Sequence, residues 1–241
     1  MQRGSSPVSA LILAIGIVAA AVVLAGGVVR SRSVDRYVTV KGISERDVKA
    51  GLAIWPLRFV STDDSLHVAQ TGIAKSQETV LAFLGRHGIP ASMTEIQGLE
   101  VTDVLTNPYR SGPATSRYII SQTLVVRAEN ADLVLAASQK VSELVDAGVV
   151  LSAQNGPITP TYLFTKLNDL KPEMIGEATS SARRAAEQFA EDSGSHIHGI
   201  RRANQGVFEI LPRDRAQGMN EESQIHKTVR VVTTVEYQLA D

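Results

Sequence analysis

The chain has 241 residues, a net charge of −1 and no cysteine. The charge balance excludes a strong nucleic-acid footprint, and aromatic residues at only 5% exclude a base-stacking platform. Without cysteine there is no disulfide framework, thiolate metal site, cysteine nucleophile or lipidated cysteine, while 44% hydrophobic and 20% charged residues describe a globular chain.

Residues 1–7 form a short head that carries Arg3. Residues 8–29 read VSALILAIGIVAAAVVLAGGVV, with no charge. In helix this run spans roughly 33 Å, the thickness of a bilayer's hydrocarbon core, and it predicts a transmembrane helix. A signal peptide has a shorter apolar stretch, of about 7–15 residues. Val23-Leu24-Ala25 before Gly26 still fits a cleavage site, so removal of residues 1–25 stays open. Gly16 and Ala20 make a small-xxx-small pair and are the candidate helix contact in lipid; small residues are also common in any membrane helix. Residues 30–36 are a juxtamembrane linker. Arg30, Arg32 and Arg36 lie there against Arg3 upstream, which by the positive-inside rule leans toward a cytoplasmic domain.

Residues 37–241 read as one α+β domain. RYVTVKG at 36–42 alternates as a half-buried strand, SERD at 44–47 reads as a turn, and 48–61 as a second strand with an edge or bulge at Pro56. Thr62-Asp63-Asp64 starts a helix with Ala69, Ile73, Val80 and Leu84 on one face, and Gly88 closes it. Strands follow at 94–106 and 116–128, separated by the Pro/Gly-rich loop 107–115. Asn130 caps a helix running to about 146, with Val134, Ala137, Val141 and Leu144 inward. A short strand at 149–154, a turn at 155–157 and a strand at 158–170 come next. Pro172 marks the first turn of a long helix, whose apolar face is Ile175, Ala178, Ala182, Ala185 and Phe189. Residues 197–211 form a strand with bends at Gly199 and Gly206, 212–223 a polar loop, and 228–239 a last alternating strand. This order predicts mixed sheets with helices packed on them. It also contains a weak internal echo, strand–helix–strand–loop–strand at 48–128 and again at 158–239.

Three segments in this order carry a resemblance. They are VTVKGISERDVKAGLAIWPLRF at 38–59, with its V-x-V-x-G opening, the alanine-rich ATSSARRAAEQFAEDSGSHIHGIRRANQGVFEI at 178–210, and the closing VRVVTTVEYQL. Together they resemble the SIMPL domain family, formerly a domain of unknown function, over nearly the whole region after the linker. The resemblance implies export to the periplasm or cell envelope, by a signal peptide or an N-terminal anchor. It also implies assembly into large oligomers in some members and an association of some with oxidative-stress tolerance. It brings no general catalytic residue set. Gly51 departs from the expected pattern, at a strand position where a side chain would pack.

No nucleophile elbow, phosphate loop or dinucleotide fingerprint is present. His196 and His198 share one face of a strand and are the outside candidate for a metal site, with Glu209 or His226 as further ligands; two surface histidines are the plainer reading. The acidic pairs Asp63-Asp64 and Glu221-Glu222 read as caps and loop charge. Arg183-Arg184 and Arg201-Arg202 read as a solvated face or a basic patch, and Trp55 as a packing residue or a contact anchor.

The expectation is a noncatalytic, cofactor-free protein of the bacterial envelope. One helix anchors it in the inner membrane, its domain lies in the periplasm, and it self-associates as a homo-oligomer that binds no nucleic acid. The alternatives are a ligand-sensing module, with a pocket between the loops 107–115 and 212–223, or a metal-assisted hydrolase at His196 and His198.

Overall fold

The computed structural model describes residues 7–33, 36–106, 115–153, 156 and 158–240. Helix α1 (Pro7–Ser33) is followed by β1 (Tyr37–Lys49), β2 (Leu52–Asp63), α2 (Leu66–Arg86), β3 (Thr94–Asp103) and β4 (Tyr118–Ala128). Next come α3 (Ala131–Ser138), α4 (Ser142–Asp146), β5 (Val150–Leu151) and β6 (Thr161–Leu163). The chain ends with α5 (Leu167–Asp192), β7 (His196–Gln205), β8 (Glu209–Pro212) and β9 (His226–Ala240). This is the expected α+β composition. The sheets are not mixed, however: β2 pairs antiparallel with β4, β5 and β6, β3 with β4, and β7 and β8 with β9.

The chain groups into two compact units. One comprises Met1–Ser44, Glu173–Val207 and Val231–Asp241, the other Glu45–Pro172 and Phe208–Arg230.

In the first unit, α1 is 27 residues long. No helix among the described residues is long and apolar enough to cross a membrane. The side chains of α1 are described at 11–12 and 14–26, and all of them are exposed. The expectation of a membrane helix over 8–29 thus falls partly outside the described side chains. The rest of the unit is a sheet in the order β1-β9-β7, backed by α5. Every fourth residue of that helix is buried, from Met174 through Ala178, Ala182 and Ala186 to Ala190. Ala182 and Ala186 pack with Val40, Val235 and Tyr237. Of the apolar face expected from sequence, Ala178 and Ala182 hold, while Phe189 is exposed. The stripe advances four residues at a time and passes Phe189 by. Its middle lies against Gly42, buried on β1. A Cβ there would lie 1.8 Å from the Ala178 carbonyl oxygen and 2.9 Å from the Ala182 Cβ. Helix and strand touch backbone to backbone, so only the smallest side chains fit between them. The V-x-V-x-G opening and the alanine-rich helix are two sides of this one contact.

In the second unit, the five-stranded sheet has the order β3-β4-β2-β5, with β6 also on β2. Trp55, Leu57 and Phe59 of β2 and Ile120, Leu124 and Val126 of β4 meet Ile73, Val80, Phe83 and Leu84 of α2, and Val134 and Leu144 close the cluster. Trp55 is fully buried, stands edge-on to Phe83, and donates its indole N–H to the Ile158 carbonyl at 2.6 Å. It is a packing residue, not a surface anchor. Pro56 lies on a central strand opposite Val125, where an edge or bulge is expected. Its missing N–H is tolerated because β5 pairs only with Phe59 and Val60, and β6 only with Leu52 to Ile54, leaving a gap between them.

Other boundaries move for local reasons. SERD is no turn; β1 runs through it. Ser44 donates to Glu177 at 2.6 Å in the first unit. In the second, Glu45 pairs with Arg230 at 3.3 Å and Asp47 accepts from Thr228 at 2.8 Å. Polar side chains that read as loop are matched by partners. The expected helix 131–146 is broken into α3 and α4, although Val134, Ala137 and Leu144 are buried as expected. Pro172 lies inside α5 rather than at its start, and most of 158–170 is not strand. The internal echo survives in altered form: β2-α2-β3-β4 and β1-α5-β7-β9 each place the last strand in the middle of its sheet. The first strand of the second copy is β1, not 158–170.

Candidate functional site

Two residues of β7 open a cleft against α5 in the first unit. The ladder with β9 pairs Ile197 with Leu239 and next Ile200 with Tyr237. His198 and Gly199 therefore oppose a single residue, Gln238, and form a β-bulge. Bulges re-aim side chains and bend the strand, and here the strand bends beside a cavity of about 410 Å³. Thr179, Ser180 and Arg183 line it from α5, His198 and Gly199 from β7, and Tyr237 from β9. Ile197 and Ile200 add an apolar wall.

The polar groups of this cleft have few partners. The Arg183 Nε donates to Glu187 Oε1 at 3.2 Å, one turn on. Nothing else among the described residues bonds its terminal amino groups. The hydroxyls of Thr179 and Ser180, the His198 ring and the Tyr237 hydroxyl likewise have no hydrogen bond among the described residues. The contrast with α2 is informative. There Thr71, Ser76 and Thr79 all bond back to the carbonyl four residues earlier, at 2.9, 3.0 and 2.9 Å. Tyr237 is 4% exposed, and burial raises its phenol pKa, while Arg183 lowers it and Glu187 raises it. The neutral phenol is thereby favoured as a donor.

The candidate metal residues are not assembled. His196 and His198 are both exposed on β7, with His196 opposite Ala240. Glu209 and His226 belong to the other unit. Among the described residues, no group of three or more His, Asp or Glu side chains could hold a metal ion. The acidic pairs do local work. Asp63 accepts from the Ser65 N–H at 2.8 Å, and Asp64 from the Arg117 N–H at 3.0 Å. Glu221 pairs with the buried Lys227. Arg201 stacks on Tyr37 at 4.4 Å. Gly16 and Ala20 are both exposed on α1. Of the loop 107–115, residues 107–114 lie outside the described residues.

A family model matches residues 38–237, described as SIMPL, a protein of unknown function (DUF541). This chain belongs to the SIMPL family. The match runs from the strand that holds Gly42 to the strand that holds Tyr237, so both the packing contact and the cleft lie within the SIMPL region. No curated protein matches the chain. The SIMPL assignment brings no catalytic residues, and the cleft stands on its own geometry.

Proposed function

We propose that this SIMPL protein is a noncatalytic, membrane-anchored envelope protein, with its domain on the periplasmic side of the inner membrane, where copies associate. The observation that carries the reading is the surface of α1. Eight large apolar side chains between Leu11 and Leu24 are 61–74% exposed, and they occupy every side of the helix. A helix apolar all round is stable only when something apolar surrounds it. Nothing in the described chain does, and lipid is the medium that fits the uncharged run 8–29. Periplasmic placement follows the SIMPL family's export habit and runs against the weak arginine asymmetry. A link to stress tolerance rests on that family habit alone.

Self-association is supported by β3, which ends its sheet and pairs only with β4. A bulge between Ile96 and Gly98 puts Ile96, Leu99 and Val101 in phase, opposite Leu124, Gln122 and Ile120. Leu124 and Ile120 are core residues, yet Ile96, Leu99 and Val101 are 50–58% exposed. The core-side face of the sheet continues onto an edge strand with nothing among the described residues over it, an arrangement that invites a partner.

The absence of cysteine makes the test clean. Val207 is 82% exposed. Val207→Cys should react with a membrane-impermeant maleimide in intact spheroplasts. Labelling only after lysis would refute the periplasmic placement, and recovery of the unprocessed chain from the soluble fraction without detergent would refute the anchor.

A further inference from the structure

We propose that the cleft between α5 and β7 is a binding site for a phosphoryl group, held by Arg183, His198 and the hydroxyls of Thr179, Ser180 and Tyr237. The inference stands apart from the anchoring and assembly readings, because the cleft lies wholly within one unit and uses neither α1 nor β3.

The donor set defines the ligand. A guanidinium, an imidazole and three hydroxyls offer many hydrogens to one object, which needs several acceptor oxygens around a single centre. A phosphoryl oxyanion has them; a carboxylate has two. Arg183 is positioned for the task. Glu187 engages Nε from the next turn, and the forked amino groups of this lining residue have no bond among the described residues. Thr179 is one turn before Arg183, so its hydroxyl lies on the same face of the helix. Buried or half-buried polar groups ordinarily find partners in the protein, and the hydroxyls of the buried Tyr237 and the half-buried Thr179 find none among the described residues. The bulge adds the second argument. It is placed where β7 passes these side chains, so that His198 and Gly199 stand together opposite Gln238 and both line the cleft. Gly199, whose Cβ would meet nothing within 4 Å, leaves the mouth open. Ile197 and Ile200 line the remainder, which suits a phosphate ester with a small apolar part better than the bare ion.

The shared chemistry admits a soluble phosphate ester or a phospholipid headgroup, and the experiment separates them. The full chain in neutral detergent is titrated calorimetrically with inorganic phosphate, with glycerol 3-phosphate, and with mixed micelles containing phosphatidylglycerol. The same titrations are run on Arg183→Gln, on His198→Gln and on Arg184→Gln, the neighbouring arginine that does not line the cleft. The expected result is saturable binding of at least one probe. It should weaken about ten- to hundredfold in Arg183→Gln, the loss that follows removal of a charge-assisted contact. It should weaken less in His198→Gln and stay unchanged in Arg184→Gln. Response to soluble esters identifies a metabolite site, and response to micelles alone identifies a headgroup site. Binding by none of the three probes, or binding that Arg183→Gln and Arg184→Gln reduce equally, overturns the proposal. Arg183 is an exposed side chain, so its replacement tests binding and not folding; unchanged circular dichroism confirms that for each variant.

Discussion

Replacing Gly42 by alanine is the most direct probe of how the two family motifs meet. The new methyl would sit 1.8 Å from the Ala178 carbonyl oxygen and 2.4 Å from the Ala182 nitrogen. Ordinary contact begins at 3.4 Å, so α5 would have to retreat by about 1.6 Å. Such a gap removes most of the dispersion contact along the stripe Ala178, Ala182, Ala186 and Ala190. Four methyl groups at about 0.8 kcal/mol each put the cost near 3 kcal/mol, within the range for severe overpacking. Urea unfolding of the solubilised chain, followed by far-UV circular dichroism, should show the midpoint falling by about 1–3 M. Gly176 is the internal control. It lies on the same helix, and a Cβ there would meet nothing within 4 Å. Gly176→Ala should stabilise by about 0.5–1 kcal/mol through helix propensity alone. If Gly42→Ala unfolds at the same urea concentration as the parent, the backbone-to-backbone contact does not exist as described.

Val101→Lys on the exposed edge should reduce the mass measured by light scattering at micromolar concentration while leaving circular dichroism unchanged; an undiminished assembly would show that copies meet elsewhere. Tyr162 is buried, its hydroxyl has no partner in bonding geometry among the described residues, and the nearby Ser138 hydroxyl donates to the Leu135 carbonyl at 2.8 Å. Tyr162→Phe should therefore be neutral or stabilising by up to about 1 kcal/mol in thermal unfolding, where most core changes destabilise. Burial raises the pKa of both Tyr162 and Tyr237, so the folded state holds these protons longer than the unfolded state. The stability they confer is present below the ordinary phenol pKa of about 10 and is lost as pH rises through the folded values. Alkaline unfolding should accordingly shift upward in Tyr162→Phe. Lys227 is fully buried against Glu221, so Glu221→Ala should cost about 3 kcal/mol, while Lys227→Met, which removes the charge itself, should cost far less.

What could be read in the sequence depended on whether the signal was periodic. Ala69, Ile73, Val80 and Leu84 recur at helical spacing, and all four are buried. The alternation of residues 228–239 likewise survives intact in β9. The errors came from residues whose role is set by a distant partner. Ser44, Glu45 and Asp47 look like a turn because their side chains are polar, and they are strand because each has a bonding partner. Phe189 belongs to the apolar face by spacing alone, yet it is exposed, because the buried stripe from Met174 to Ala190 passes beside it. The cleft was the least legible feature. In the sequence His198 stands out only beside His196, whereas its setting depends on how β7 shifts register against β9. No local pattern announces such a slip.

The arrangement of β1, β9 and β7 also fixes when the first unit can form. Its middle strand β9 is made after β1, α5 and β7, the elements that it joins. Until β9 is made, β1 has no neighbour to bond, and α5 has no complete surface on which to lay its alanines. Pairing between strands so far apart in sequence is slow to close, and this unit depends on its latest element more than on any other.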